Sequence, residues 1–251
     1  MPVNPRKVLI LGGTAEARRL AQAAVAQLPA DVEIISSYAG RTERPAEPPG
    51  TIREGGFGGV KGLTDYLKTE AIWLVIDATH PFAATMSAHA EAACRAAGCP
   101  RMMVVRPAWQ MPAEAICTEV DTMQSAAARV AKTARRVFLS TGSRDMAAFG
   151  DMPDIWFLIR LIAPPAQPLA LANYQVTTGR PPYALDNERA LLETHAIDTL
   201  VSKHSGGPLP AKITAAAALG LPIVLIERPA PPPGKHTETI EAALAWIQSR
   251  L

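Results

Sequence analysis

Cysteine is scarce in this 251-residue chain. Cys94, Cys99 and Cys117 form no CxxC pair and no Cys/His cluster at metal-ligand spacing. That argues against a disulfide framework and gives no metal-site signature, so reduced thiols and no bound metal are expected. Long apolar runs are also missing: none reaches the ~18 residues a membrane span requires. No dense Lys/Arg run occurs and the net charge is +2, too mild for bulk nucleic-acid binding. The segment MPVNPRKVLIL passes from a basic residue straight into a strand-like run, without a signal-peptide pattern. The expected setting is the cytoplasm, with no membrane or nucleic-acid partner. Charged residues make up 19% and hydrophobic ones 48%, which argues against a mainly disordered chain and supplies material for buried cores. The length suits one large domain or two modest ones.

What is present is alternation. Short apolar runs at 7–11, 32–37, 51–59, 71–79 and 101–107 read as strands, the third running into a glycine loop. Alanine-rich stretches at 15–28, 60–70 and 84–98 read as helices between them, the last ending on Gly98 as a natural C-cap. This order is that of a parallel sheet with right-handed crossovers. The segment PAWQMPAEA (107–115) breaks the rhythm and reads as a domain link. Alternation then resumes, with strands at 136–141, 154–162, 197–203 and 221–228 and helices at 125–132, 183–195 and 211–220. After the rigid spacer PAPPPG, residues 237–250 read as a closing helix with Thr237 as N-cap and Ile240 and Leu244 facing inward. The expected fold is α/β. It has two Rossmann- or flavodoxin-like domains, 1–110 and 111–251, with mainly parallel sheets and a cleft between them.

Candidate chemistry gathers where strands end. In GGTAEAR, Gly12 and Gly13 would let the backbone approach a pyrophosphate, the following helix N-terminus offers free amides, and Thr14 could add a hydroxyl donor. The spacing is not GxGxxG, so a plain strand–helix turn remains open at this point. The second strand ends in SSYAGRTERP, with no acid at its tip for a ribose 2′-OH. Ser36, Ser37 and Arg41 suit a 2′-phosphate instead, because a guanidinium binds it bidentately; this points to NADPH. Arg41 and Arg44 as solvated loop charges is the alternative. The fourth strand ends in DATHPFA. Asp77, ending an apolar run, is expected to be buried and hydrogen-bonded to nearby loop N–H groups. Thr79, His80 and Pro81 stand at the cofactor edge. His80 is open to three roles: proton donor, ribose contact, or loop fixer.

The second half carries three comparable loops. STGSRD brings Thr141, Gly142, Ser143 and Arg144; TTGRPPY brings Arg180; SKHSGG brings Lys203, Ser205, Gly206 and Gly207. Each combines small residues with a cation, which suggests a second binding face.

These motifs in this order (ILGGTAEAR, DATHPFA, STGSRD, TTGRPP and SKHSGG followed by Lys212 and alanines) resemble the precorrin-6A reductase family of cobalamin biosynthesis. The resemblance runs from about residue 8 to residue 228, and DATHPFA is its most specific piece. It implies an oxidoreductase that uses NADPH to saturate one double bond of a tetrapyrrole polycarboxylate. A related branch acts on the cobalt-containing macrocycle, and a cobalt-precorrin-6A reductase using NADH is the alternative reading. The substrate implied is wide and rimmed with carboxylates, so Arg144, Arg180, Lys203 and Lys212 are candidate cations for it. Hydride transfer needs alignment and a proton rather than a protein nucleophile. Water, His80 and Lys203 are the candidate proton sources. A monomer or small homo-oligomer is expected.

Three rival readings stand beside this one. A short-chain-type reductase would carry Tyr-x-x-x-Lys, and none of Tyr38, Tyr66, Tyr174 and Tyr183 has Lys four residues on. A methyltransferase would more often place an acid at the second strand's tip. A two-domain receptor for a small anion fits the layout, but such receptors are usually exported.

Overall fold

A computed structural model of the chain describes residues 5–38, 49–142 and 146–251. They form two compact units: Met1–Pro107 with Pro229–Leu251, and Ala108–Arg228. Each is built on its own six-stranded sheet in which every pairing is parallel.

The first unit contains β1 (Arg6–Leu11), β2 (Val32–Tyr38), β3 (Thr51–Glu54), β4 (Ile72–Asp77), β5 (Arg101–Val104) and β12 (Lys235–Thr237). Their spatial order is β3-β2-β1-β4-β5-β12, the arrangement of dinucleotide-binding sheets. β1 lies at the centre and is apolar on both faces, as a strand covered by two helix layers must be. Val8 and Ile10 pack with α1 (Ala15–Gln27) and α7 (Ile240–Gln248). Leu9 and Leu11 pack with α2 (Gly59–Thr69) and α3 (Ala84–Ala97). Gly98 ends α3 in the left-handed conformation (φ 66°) expected of a C-cap.

The second unit holds β6 (Cys117–Val120), β7 (Arg136–Ser140), β8 (Trp156–Leu161), β9 (Tyr174–Thr178), β10 (Thr199–Lys203) and β11 (Ile223–Ile226). Their order is β6-β11-β10-β7-β8-β9. Helix α4 (Met123–Thr133) covers one face, with a 3-10 turn at Met146–Phe149 against it. Helices α5 (Leu185–Thr194) and α6 (Ala211–Ala218) pack together over the other.

Two expectations are corrected. Pro229–Leu251, assigned in sequence to the second domain, joins the first unit. Lys235–Thr237 pairs with Met102–Val104 on the open side of β5, and α7 sends Ala243, Leu244, Trp246 and Ile247 into the α1 core. Thr237 is not the N-cap of the last helix. It ends β12, and Thr239 caps α7 by accepting from the Ala242 amide at 3.1 Å. The three cysteines are free thiols. Among the described residues, no helix is long and apolar enough to cross a membrane, and no group of three or more acidic, His or Cys side chains could hold a metal ion.

Candidate functional sites at the two sheet edges

In the first unit the chain leaves β1 for one side of the sheet and β4 for the other, so a crevice opens where the two strands end. The Gly12 amide donates to Ser37 O at 3.0 Å, closing the β1–β2 ladder. Gly13 has φ +106°, and nothing lies within 4 Å of where its Cβ would be. The position therefore demands glycine for its backbone and leaves room beside it. Thr14 caps α1: its Oγ1 accepts from the Ala17 amide at 3.1 Å and donates to Ala78 O at 2.7 Å. The hydroxyl expected to meet a phosphate is thus spent on tying the β1–α1 turn to the residue after β4. What the turn offers an anion is backbone N–H and the positive end of α1. Glu16 in the first helical turn carries its own counter-charge, Arg106 at 2.6 Å.

Ser36 and Ser37 alternate across β2 and are buried. Ser36 follows Ile34 towards the α1 side, and Ser37 follows Ile35 towards the α2 side. Arg53, not singled out in the sequence, sits opposite Ser37 in register. Its Nη1 reaches Ser37 Oγ at 3.4 Å and Gly55 O at 2.6 Å, Nη2 reaches Gly56 O at 2.9 Å, and the guanidinium lies 3.6 Å from the Phe57 ring centroid. The only hint was positional: a strand following β2 on the same edge delivers its side chains beside Ser37. Arg41 and Arg44 lie outside the described residues.

Asp77 is fully buried. Its Oδ1 accepts from the Thr79 amide at 3.2 Å and from Thr79 Oγ1 at 2.8 Å, as expected of a buried carboxylate answered by its own loop. Thr79 Oγ1 also shares a 3.2 Å hydrogen bond with Ser87 Oγ on α3. The sequence did not announce Arg101, 5% exposed, whose Nη1 stands 3.5 Å from Asp77 Oδ2. His80 is exposed, and its Nδ1 accepts from the Phe82 amide at 3.2 Å. A neutral ring then carries its proton on Nε2. Of the three roles open to His80, this bond supplies loop fixing. Pro81 follows it, half-buried.

In the second unit, parallel pairing brings the loops after β7, β9 and β10 to one edge. Thr141 is buried there, and Gly142 (φ +85°), Gly206 (+67°) and Gly207 (+81°) take left-handed turns. Lys203 is half-buried at the end of β10, Ser205 donates its amide to Lys203 O at 2.9 Å, and Arg180 is exposed. Trp109 stacks on His204 at 4.8 Å. Ser143 and Arg144 lie outside the described residues. Lys212, in the first turn of α6, donates to Ser140 Oγ at 2.7 Å. Burial pushes its pKa down to about 8; the neighbouring Arg160 charge adds to this and Glu188 opposes it. The Arg160–Glu188 pair was missed in sequence. Arg160 Nη1 meets both Glu188 oxygens, at 2.7 and 2.9 Å, while the guanidinium lies 4.0 Å from the Tyr183 ring centroid and 4.8 Å from that of Phe138.

The first edge therefore presents backbone amides and a helix N-terminus, and the second presents cations and left-handed glycine turns. A precorrin-6A reductase of Mycobacterium tuberculosis is 44% identical over 243 residues, 96% of this chain and 97% of the relative. One from Rhodobacter capsulatus is 41% identical, covering 96% and 95%. A solved structure described as CobK precorrin-6A reductase superposes with a TM-score of 0.90 at 40% identity, covering 97% of this chain and 96% of that one. Residues 7–248 match the family described as precorrin-6x reductase CbiJ/CobK, and the chain belongs to that family.

Proposed function

We propose that this protein transfers a hydride from NADPH to one double bond of precorrin-6A, in the cytoplasm, as a monomer or small homo-oligomer. The first unit holds the cofactor and the second supplies contacts to the substrate's carboxylates. The observation that carries the reading is the β1–α1 turn of a family member: Gly13, left-handed and open on its Cβ side, sits where the sheet splits. Backbone at such a point can touch a diphosphate, and the α1 N-terminus favours its charge. The residues present therefore fit the cofactor.

When bound, the dihydronicotinamide supplies the hydride from its C4 and is left oxidised, while a proton completes the second carbon of the reduced bond. The chain's own part is alignment and charge. Thr14 and Asp77 hold the two loops of the crevice in fixed register through Ala78 O and Thr79. Arg41, following Ser36 and Ser37, reads the 2′-phosphate. Water, His80 and Lys203 are the candidate proton sources. A metal-free substrate is favoured because the relatives at 44% and 41% identity carry the precorrin-6A name.

The test combines purified protein, NADPH and precorrin-6A while the cofactor's near-ultraviolet band and the macrocycle's visible band are followed together. Both should change in step. If neither moves, the reductase reading fails. Arg41→Ala should weaken NADPH far more than NADH; equal weakening would remove Arg41 as the 2′-phosphate reader.

A further inference from the structure

The α5–α6 face of the second sheet changes character at its last rung. Phe138, Leu158 and Leu200 belong to one buried apolar cluster. Two residues further along the same strands, and so on the same face, stand Ser140, Arg160 and Ser202. Ser202 is the register partner of Ser140. Glu188 reaches this rung from α5 and Lys212 from α6.

The charges there do not balance. Both oxygens of Glu188 are taken by Arg160, so that pair is neutral within itself. Lys212 has one neutral partner, Ser140 Oγ at 2.7 Å, and no described carboxylate forms an ion pair with it. Beside it, Ser202 is fully buried and its Oγ has no hydrogen-bond partner. A buried hydroxyl without a partner and a half-buried, desolvated ammonium without an ion-pair partner are both unfavourable. One small anion with two acceptor oxygens answers both, and the positive end of α6 adds to its attraction.

We propose that Lys212 and Ser202 form a seat for one carboxylate of the substrate on the second unit, with Ser140, whose hydroxyl donates to Val201 O at 3.3 Å, holding the ammonium in place. This rests on reading the chain as a reductase of a carboxylate-rimmed macrocycle. A monoanion matches the single excess cation. Seating a carboxylate beside the ammonium favours its charged form, so binding draws in a proton wherever free Lys212 has lost one. The described charged groups facing Lys212 are Arg160 from β8 and Glu188 from α5; β11 contributes only Ile and Val/Leu side chains, and Tyr183 packs on Arg160. With free Lys212 titrating near 8, affinity falls as pH rises past that value.

The experiment compares wild type, Lys212→Met and Ser202→Ala. NADPH affinity is read by fluorescence, and kcat and KM for precorrin-6A are measured near pH 7 and near pH 9.5. Lys212→Met should raise KM about tenfold or more near neutrality, leave NADPH binding unchanged and erase the rise of KM with pH. Ser202→Ala should raise KM about threefold while keeping the pH dependence. A Lys212→Met KM within twofold of wild type, in a protein that still binds NADPH, overturns the seat and leaves the reductase reading standing. If wild type does not reduce precorrin-6A, that reading fails, and the stable polycarboxylate uroporphyrin decides the seat instead. Binding that weakens at high pH in wild type and is weak and flat in Lys212→Met supports it. Equal binding by both overturns it.

Discussion

Breaking the Arg160–Glu188 pair gives a sharp test of the second unit's energetics. The two side chains are 11% and 2% exposed, so the small energies of surface ion pairs do not apply. At the observed 2.7 and 2.9 Å, an effective dielectric near 20 gives an attraction of about 6 kcal/mol. Most of that offsets desolvation in the intact pair, but the desolvation remains when one partner is neutralised. Glu188→Gln should therefore lose about 3–5 kcal/mol, a large share of the ~5–15 kcal/mol that holds a typical domain folded. Arg160→Met should lose a comparable amount by stranding Glu188. The double variant Arg160→Met/Glu188→Leu buries no charge at these positions and should lie within about 2 kcal/mol of wild type. Urea unfolding followed by circular dichroism measures all four proteins. With a slope of about 2 kcal/mol/M, each single change should lower the midpoint by roughly 2 M, and the double variant should recover most of it. Additive losses in the double variant, or a Glu188→Gln loss under about 1 kcal/mol, would refute the argument.

Lys212 titrates near 8 when folded, against an ordinary 10.5. Between those values the unfolded chain binds more protons, so this residue's unfavourable contribution is full below pH 8 and is relieved as pH rises towards 10.5. The stability of wild type relative to Lys212→Met should climb over that window in urea titrations; a flat difference would mean the ammonium is not desolvated. Gly13→Ala meets no atom but forces an L residue to φ +106°, so about 1–3 kcal/mol of strain should appear in thermal melts, together with weaker NADPH binding. Thr14→Ala removes the α1 cap and the bond to Ala78 O, and should cost about 1–2 kcal/mol by the same melts.

The central elements were legible in sequence because burial on two faces leaves a mark. Val8 to Leu11 and Leu74 to Ile76 are apolar without interruption, since both faces are covered. The strands that left no mark, β6, β9 and β12, are all outermost in their sheets. Their side chains are half-buried or exposed, so no continuous apolar run marks them. Thr237 reads as a cap in sequence because the pairing of Lys235–Thr237 with β5 has no side-chain signature. The glycine turn and DATHPFA could be read because their chemistry is contiguous. Arg53 beside Ser37, Arg101 beside Asp77 and Arg160 beside Glu188 could not, because each pair is 16 to 28 residues apart and meets only through the fold.

The return of Pro229–Leu251 to the first unit makes the second unit an insertion within the first. During synthesis, β5 and the bare flank of α1 emerge from the ribosome more than a hundred residues before their partners. Until then β5 presents an open strand edge, and Leu20 and Ala24 lack the cover of Trp246 and Ile247. The inserted unit can become native while its host is still incomplete, so the nascent chain matures from the middle outward.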